Sequence, residues 1–128
     1  MPERYLFEYA VIRVVPRVER EEFLNVGVIV YCPKQKFLKS IITIDDRRLH
    51  ASFSGINLEE VKANLLAFEN ICHGNLTSSP IAKLDNASRF RWLTATRSTI
   101  IQASKVHPGL CIDANETLFK LHGQLVLE

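Results

Sequence analysis

Residues 5–15 read YLFEYAVIRVV, a run rich in the aromatic and β-branched residues that favour β-strands. Because alternate side chains of a strand point to opposite sides, the run divides into two sets. Both sets are largely apolar, one made of Tyr5, Phe7, Tyr9 and Val11 and the other of Leu6, Ala10, Ile12 and Val14. The sequence therefore predicts a strand that is covered on both sides.

Two more strands are predicted directly after this one. Pro16 ends the first strand, since proline cannot donate to a strand ladder. Residues 25–32 and 37–44 are again rich in apolar and β-branched residues, and the turn sequence PKQK separates them. This pattern indicates an antiparallel meander. Gly27 inside the second strand predicts a bulge or a close approach between strands.

Helix signals follow in the middle of the chain. Asp45 or Asp46 is placed to cap a short helix, because helices begin at side-chain acceptors. Asn57 and Glu60 form a capping box ahead of a stripe of apolar residues at helical spacing, which predicts a second helix. Residues 75–87 have no periodicity and predict a loop.

The last part of the chain predicts a second pair of strands and a final helix. The strands are expected at residues 89–95 and 98–104, and the tripeptide at residues 107–109 predicts a turn. Asp113 and Glu116 repeat the capping-box pattern before the last helix. The order βββααββα predicts an α+β fold, with an antiparallel sheet of about five strands and helices packed on one face.

Size and composition predict one domain over residues 1–128, with 47% hydrophobic and 23% charged residues. Because the first strands are apolar on both sides, a fold-back of the sheet or a second subunit is expected to cover the remaining face. The net charge of +2 gives no argument for nucleic acid by itself. Three widely spaced cysteines favour free thiols in a reducing compartment. No signal peptide or membrane span is expected, so we predict a cytoplasmic protein.

The best candidate site lies at residues 88–98, SRFRWLTATRS, in a stretch without acidic residues. On a strand, Arg89 and Arg91 share one face while Phe90 and Trp92 share the other. Guanidinium groups bind carboxylates and phosphates through paired hydrogen bonds. We therefore predict an anion-binding or partner-binding site, made of Arg89, Arg91, Trp92, Arg97 and Ser98, with Glu8 and Arg13 of the first strand.

Glu8 and Arg13 interrupt the apolar first strand, and a charge in such a place needs a polar partner. The structural alternative to a binding site is that Arg89 and Arg91 pair with carboxylates such as Glu8 on a neighbouring strand. They would otherwise lie in solvent while Phe90 and Trp92 pack in the core. Arg13 either finds a similar partner or marks the point where the strand becomes exposed.

No catalytic, metal-binding or cofactor-binding residues are predicted. The sequence has no GxSxG elbow, no phosphate-binding glycine loop and no dinucleotide fingerprint. It also lacks the paired cysteine or histidine spacings of zinc sites. Asp45 and Asp46 are adjacent, so their side chains diverge, and helix capping explains them better than Mg²⁺ binding.

Two long blocks carry a resemblance to a known family: RYLFEYAVIRVVPRVEREEFLNVGVIVYCPKQKFL near the start and SRFRWLTATRSTIIQASKVHPGL further on. With these blocks the chain resembles DUF3037, a family of uncharacterised small bacterial proteins. The resemblance implies a cytoplasmic protein without established activity. It also implies a partnership with a kinase of the HipA type, and it supplies no catalytic residues.

These observations predict a non-catalytic interaction module that binds itself as a homodimer or binds another cytoplasmic protein. Arginine and aromatic residues are enriched at such interfaces. The alternative is a protein that binds phosphate or nucleic acid, in which the arginines contact phosphates and Trp92 stacks on a base.

Overall fold

The sheet has five strands in the computed structural model, which describes residues 2–17, 20–76, 79–95, 97 and 99–127. The strands are β1 (Tyr5–Val14), β2 (Leu24–Cys32), β3 (Phe37–Ile42), β4 (Ile101–Ala103) and β5 (His107–Cys111). All pairings are antiparallel. β1 is central, because β2 pairs with one of its edges while β4 and β5 pair in succession with the other. The predicted α+β class, sheet and element order are confirmed.

Four α-helices complete the described part of the chain: α1 (Asp46–Ser52), α2 (Leu58–Cys72), α3 (Asn86–Thr94) and α4 (Ala114–His122). Side-chain acceptors that precede the helices bond their first free N–H groups. These are Asp45, Asn57, Asp85 and Asp113, of which all but Asp85 confirm predicted caps. None of the helices in the described residues is long and apolar enough to cross a membrane.

The core lies on both faces of the sheet, with β1 shared between them. On the α2–α3 face, Ile12 packs in one cluster with Leu65 and Phe90. On the opposite α4 face, Phe7 packs in a second cluster with Leu118. Residues of both apolar sets of β1 are thus buried as predicted, with Leu6 as an exposed exception. The expectation that all helices lie on one face is wrong, because α4 and the π-helical turn that follows it contact β2 on the second face.

The predicted strand at residues 89–95 is wrong, because residues 86–94 form α3. The side chain of Asp85 accepts from the N–H of Ser88 at 2.8 Å, which starts a helix. Phe90 and Leu93, three residues apart, are both buried. This spacing matches the period of a helix and not the alternation of a strand. The loop expected at residues 75–87 also contains a 3₁₀ turn at Pro80–Lys83.

The tripeptide at residues 107–109 belongs to β5 and is not a turn. Pro108 lies opposite Glu8 in the register. At this position the backbone nitrogen faces away from β1, so the ladder between β1 and β5 needs no N–H group from it. Gly109 lies against the ring of Phe7, and a Cβ there would come within 2.6 Å of that ring. The second predicted strand at residues 98–104 is present as the shorter β4.

Gly27 is a point of close approach between strands, as predicted. A Cβ at this position would lie 2.7 Å from the carbonyl oxygen of Ile41 and 3.1 Å from Cδ1 of Ile12. The register also shifts beside it, between Ile12 and Arg13. The strand pairing therefore depends on the absence of a side chain at this site.

We expect Gly27→Ala to lower the free energy of unfolding by about 1–3 kcal/mol, because backbone atoms must move to admit the methyl group. Urea unfolding at equilibrium measures the change. Gly123→Ala is the matched control, since a Cβ at Gly123 meets nothing within 4 Å. Equal stability of the two variants would contradict the packing argument.

A second prediction concerns the cap of α3. Hydrogen bonds from the side chain and backbone of Ser88 lower the pKa of Asp85 below its usual value. A lowered carboxyl pKa in the folded state contributes stability above the unfolded value, and the contribution is lost as the pH falls through the folded value. Asp85→Asn keeps a good cap without the charge. The urea midpoint of the wild type should therefore fall more than that of the variant between neutral and strongly acidic pH.

Candidate functional site

The arginines of the predicted site do not share a face, because residues two apart on a helix point in different directions. Arg91 donates to the two carboxylate oxygens of Glu8 at 2.9 and 2.7 Å. Arg89 donates to the side chain of Asn86 and to the carbonyl oxygen of Ala82. The prediction that Arg89 and Arg91 stand together on a strand is therefore wrong.

The pair between Arg91 and Glu8 is present as the structural alternative predicts, but it connects helix α3 to β1 and not two neighbouring strands. The side chain of Arg91 is 57% exposed and that of Glu8 is 23% exposed. The hydrogen bonds to Glu8 raise the pKa of Arg91. The charge of Arg91 is thus neutralised by an acceptor within the chain.

Arg89 of α3 packs against Gly74, just after the end of α2. Its guanidinium group occupies the space where a Cβ of Gly74 would lie. Gly74 has φ +70°, a left-handed conformation that glycine adopts without strain. We therefore assign Arg89 a packing role between the two helices.

Arg97 and Trp92 form a second group beyond the end of α3. The guanidinium carbon of Arg97 lies 4.2 Å from the centre of the Trp92 ring, and the group also donates to the carbonyl oxygen of Trp92. Trp92 is 43% exposed. Arg97 has no carboxylate partner among the described residues. Ser98 lies outside the described residues.

Trp92 stands at a groove of about 190 Å³ between α2, α3 and β4. We call it the β4 groove. Its apolar lining includes Phe68 and Ile71 of α2, Trp92 and Leu93 of α3, and Ile101 and Ala103 of β4. Arg97 adds a positive charge to the same groove.

One edge of β4 is unpaired in the described part of the chain. On the β1 side, the N–H of Ser104 donates to the carbonyl oxygen of Val11 at 2.8 Å. Ladder bonds alternate along an antiparallel pair, so Gln102 directs its backbone groups to β1, whereas Ile101 and Ala103 direct theirs outward. The outward N–H groups of Ile101 and Ala103 have no partner among the described residues.

Arg13 lies beside the same edge but on the α4 face, opposite Gln102 in the register. Its guanidinium carbon lies 4.0 Å from the centre of the Phe23 ring, and its Nε is buried without a hydrogen-bond partner. Burial lowers the pKa of Arg13. A pocket of about 390 Å³ includes Arg13, Phe23 and Gln102 in its lining. Glu21 also lines this pocket, but Arg13 forms no ion pair among the described residues.

The remaining chemistry-bearing side chains have local roles. Asp45 caps α1, and Asp46 pairs with Lys62 at 3.1 Å. The described residues contain no group of three or more potential metal ligands. The three cysteines are free and buried. Burial raises the pKa of Cys72 to about 11, which keeps this thiol in its less nucleophilic protonated form.

The geometry defines a class of protein. It is a small α+β fold whose central strand contributes to core clusters on both faces of the sheet, and whose sheet has an unpaired edge beside an apolar groove. The chain belongs to the family described as "Protein of unknown function (DUF3037)", whose model matches residues 9–126. The resemblance found in the sequence is thereby confirmed. No curated protein and no solved structure matches the chain.

We expect Arg91 and Glu8 to be energetically coupled by about 0.5–1 kcal/mol, the range of well-formed pairs near the surface. The measurement is a double-mutant cycle of urea unfolding with Arg91→Ala, Glu8→Ala and the double variant. A coupling energy of zero would contradict the assignment, because Arg91 would then keep its charge available for a ligand.

Proposed function

We propose that this protein is a non-catalytic interaction module that binds another protein through the β4 groove. The observation that carries the proposal is the position of Trp92, a large aromatic side chain exposed at an apolar groove that follows an unpaired strand edge. Tryptophan and arginine dominate the binding energy of many protein interfaces. Arg97 supplies a polar contact in the same groove.

The lining of the groove supports binding more than catalysis. Among the described residues that line it, the polar side chains are those of Asn64, Arg97, Thr99 and Gln102. None of these is an ordinary general acid or base at neutral pH, a role that is usually taken by histidine, carboxylates, lysine, tyrosine or cysteine. The apolar walls instead suit the side chains of a partner.

The alternative function, binding of phosphate or nucleic acid, has less support. Such binding depends on several cations that contact phosphates together. Arg91 is neutralised by Glu8, and Arg89 packs between helices. Arg97 also lies over the ring of Trp92, which leaves less of that ring for stacking on a base. A single-stranded oligonucleotide that bound with a steep salt dependence would favour this alternative.

Two kinds of protein partner follow from the proposal. The family resemblance implies a kinase of the HipA type, which is the first full-length partner to test with the purified proteins. A second copy of this chain is the other partner. Sedimentation equilibrium of the wild type and of Trp92→Ala distinguishes them, because a concentration-dependent dimer that is lost in the variant would make the second copy the occupant of the groove.

We expect Trp92→Ala to weaken binding of peptides selected from a random displayed library by more than about tenfold, as for other central aromatic anchors. Affinity is measured by the anisotropy of labelled peptides. Trp92 is the single tryptophan of the chain, so its fluorescence should also change when the selected peptides bind to the wild type.

Phe119→Ala is the matched control, since Phe119 is an aromatic residue of α4 that is also exposed. Its peptide affinity should stay at the wild-type value. The proposal fails if the library yields no binder, or if the selected peptides bind to the Trp92→Ala variant as tightly as to the wild type.

A further inference from the structure

We infer that the occupant of the β4 groove is an extended acidic segment of the partner, which pairs with the outward edge of β4 as an additional strand. The inference rests on the proposed function and specifies the chemistry of the partner. Two observations support it: the unpaired backbone of β4, and two arginines that lie on opposite sides of the same edge.

The backbone of β4 offers hydrogen bonds to a strand and not to a helix. Ile101 and Ala103 direct their N–H groups away from β1, and these groups have no partner among the described residues. The carbonyl oxygen of Ile101 already accepts from the hydroxyl of Thr99 at 2.5 Å. An extended peptide satisfies such donors through its own carbonyl groups, as in other cases of strand addition to a sheet edge.

The neighbouring strand β5 offers fewer outward donors than β4. Pro108 occupies an outward position there and has no N–H group. β4 and β5 pair with the same side of β1, and on β5 proline interrupts the row of outward donors, where Leu110 keeps an outward N–H group. The outward donors that lie beside the apolar groove and Arg97 are those of β4.

The charges of the occupant follow from Arg97 and Arg13. Arg97 lies in the groove on the α2–α3 face, and Arg13 lies in the pocket on the α4 face. Both lining sets include Gln102 and Ala103 of β4, so the two arginines flank the same strand. Neither forms an ion pair among the described residues, although Glu21 lines the pocket of Arg13. Carboxylates on the partner provide the complementary charge.

Strand geometry fixes how the side chains of the occupant are distributed. A residue beside Gln102 directs its side chain to the α4 face, where Arg13 lies. Residues beside Ile101 and Ala103 direct theirs into the β4 groove. The segment therefore carries an acidic side chain between two apolar ones, with a further carboxylate that reaches Arg97.

The test uses the variant Ala103→Pro, which removes one outward N–H group and no bond to β1. Pro108 already occupies an equivalent outward position in β5, so the sheet accepts proline there. The probe is a short labelled peptide that alternates glutamate and valine. A peptide that alternates lysine and valine is its matched control.

We expect the acidic peptide to bind to the wild type and the lysine peptide to fail. Ala103→Pro should weaken binding of the acidic peptide by about tenfold, the effect of a lost hydrogen bond together with disturbed pairing. Arg13→Gln and Arg97→Gln should each weaken it about threefold to fivefold, and added salt should reduce their difference from the wild type.

A second measurement covers the case in which Ala103→Pro does not fold, which its urea unfolding curve will show. Hydrogen exchange of the wild type is followed with and without the acidic peptide. The amide protons of Ile101 and Ala103 should exchange more slowly in the complex, while that of Leu110 in β5 should be unchanged. Unchanged exchange at both β4 amides would overturn the inference.

The outcomes separate this inference from the proposed function. If Trp92→Ala abolishes binding of library-selected peptides while Ala103→Pro and the amide exchange show no effect, the groove binds its partner without strand addition. The inference then fails and the proposed function stands. If both peptides bind equally, the predicted acidic character is wrong. If selected peptides ignore Trp92→Ala, the proposed function itself fails.

Discussion

The whole structure depends on burying β1 from both sides. Its two apolar sets belong to different layers, one formed with α1, α2 and α3 and the other with α4. Ile12 and Val14 are fully buried on the first side, and Phe7 is buried on the second. Burial of each large apolar side chain contributes roughly 1.5–3 kcal/mol relative to exposure. Neighbouring strands on both edges shield these side chains further from solvent, so the double apolar pattern is consistent with the central position of β1.

Much of this arrangement could be predicted because it is encoded locally. The double apolar pattern of residues 5–15 determines the burial of β1, and Asp45 and Asn57 mark helix starts through their own side chains. The error at residues 89–95 has an equally local cause. The sequence RFRWLT satisfies both strand alternation and the helical spacing of Phe90 and Leu93, and only the cap at Asp85 separates the two.

The candidate site could be predicted only in part, because its properties depend on distant segments. Arg91 and Glu8 are 83 residues apart, so their pairing could be proposed from the sequence but not distinguished from a free cation. The unpaired edge of β4 has no signal in the sequence, since it depends on which strands neighbour β1. Arg97 and Trp92 stand out in the sequence because they belong to a stretch rich in arginine and aromatic residues. Their position at a groove, however, depends on the packing of α2 against α3.

An unpaired edge is a hazard, because it can pair with any exposed strand, including that of another copy. β4 limits this hazard by its length of three residues, and β5 does so through Pro108. Arg13 and Arg97 add a selective restraint on β4. If two copies paired through this edge, Arg13 and Arg97 of both would lie at one interface with a single carboxylate, Glu21, in the two linings of each copy. Like charges at an interface oppose association. The same two charges attract an acidic strand. Under the proposed strand addition, the same pair of side chains would both oppose self-association and select an acidic partner.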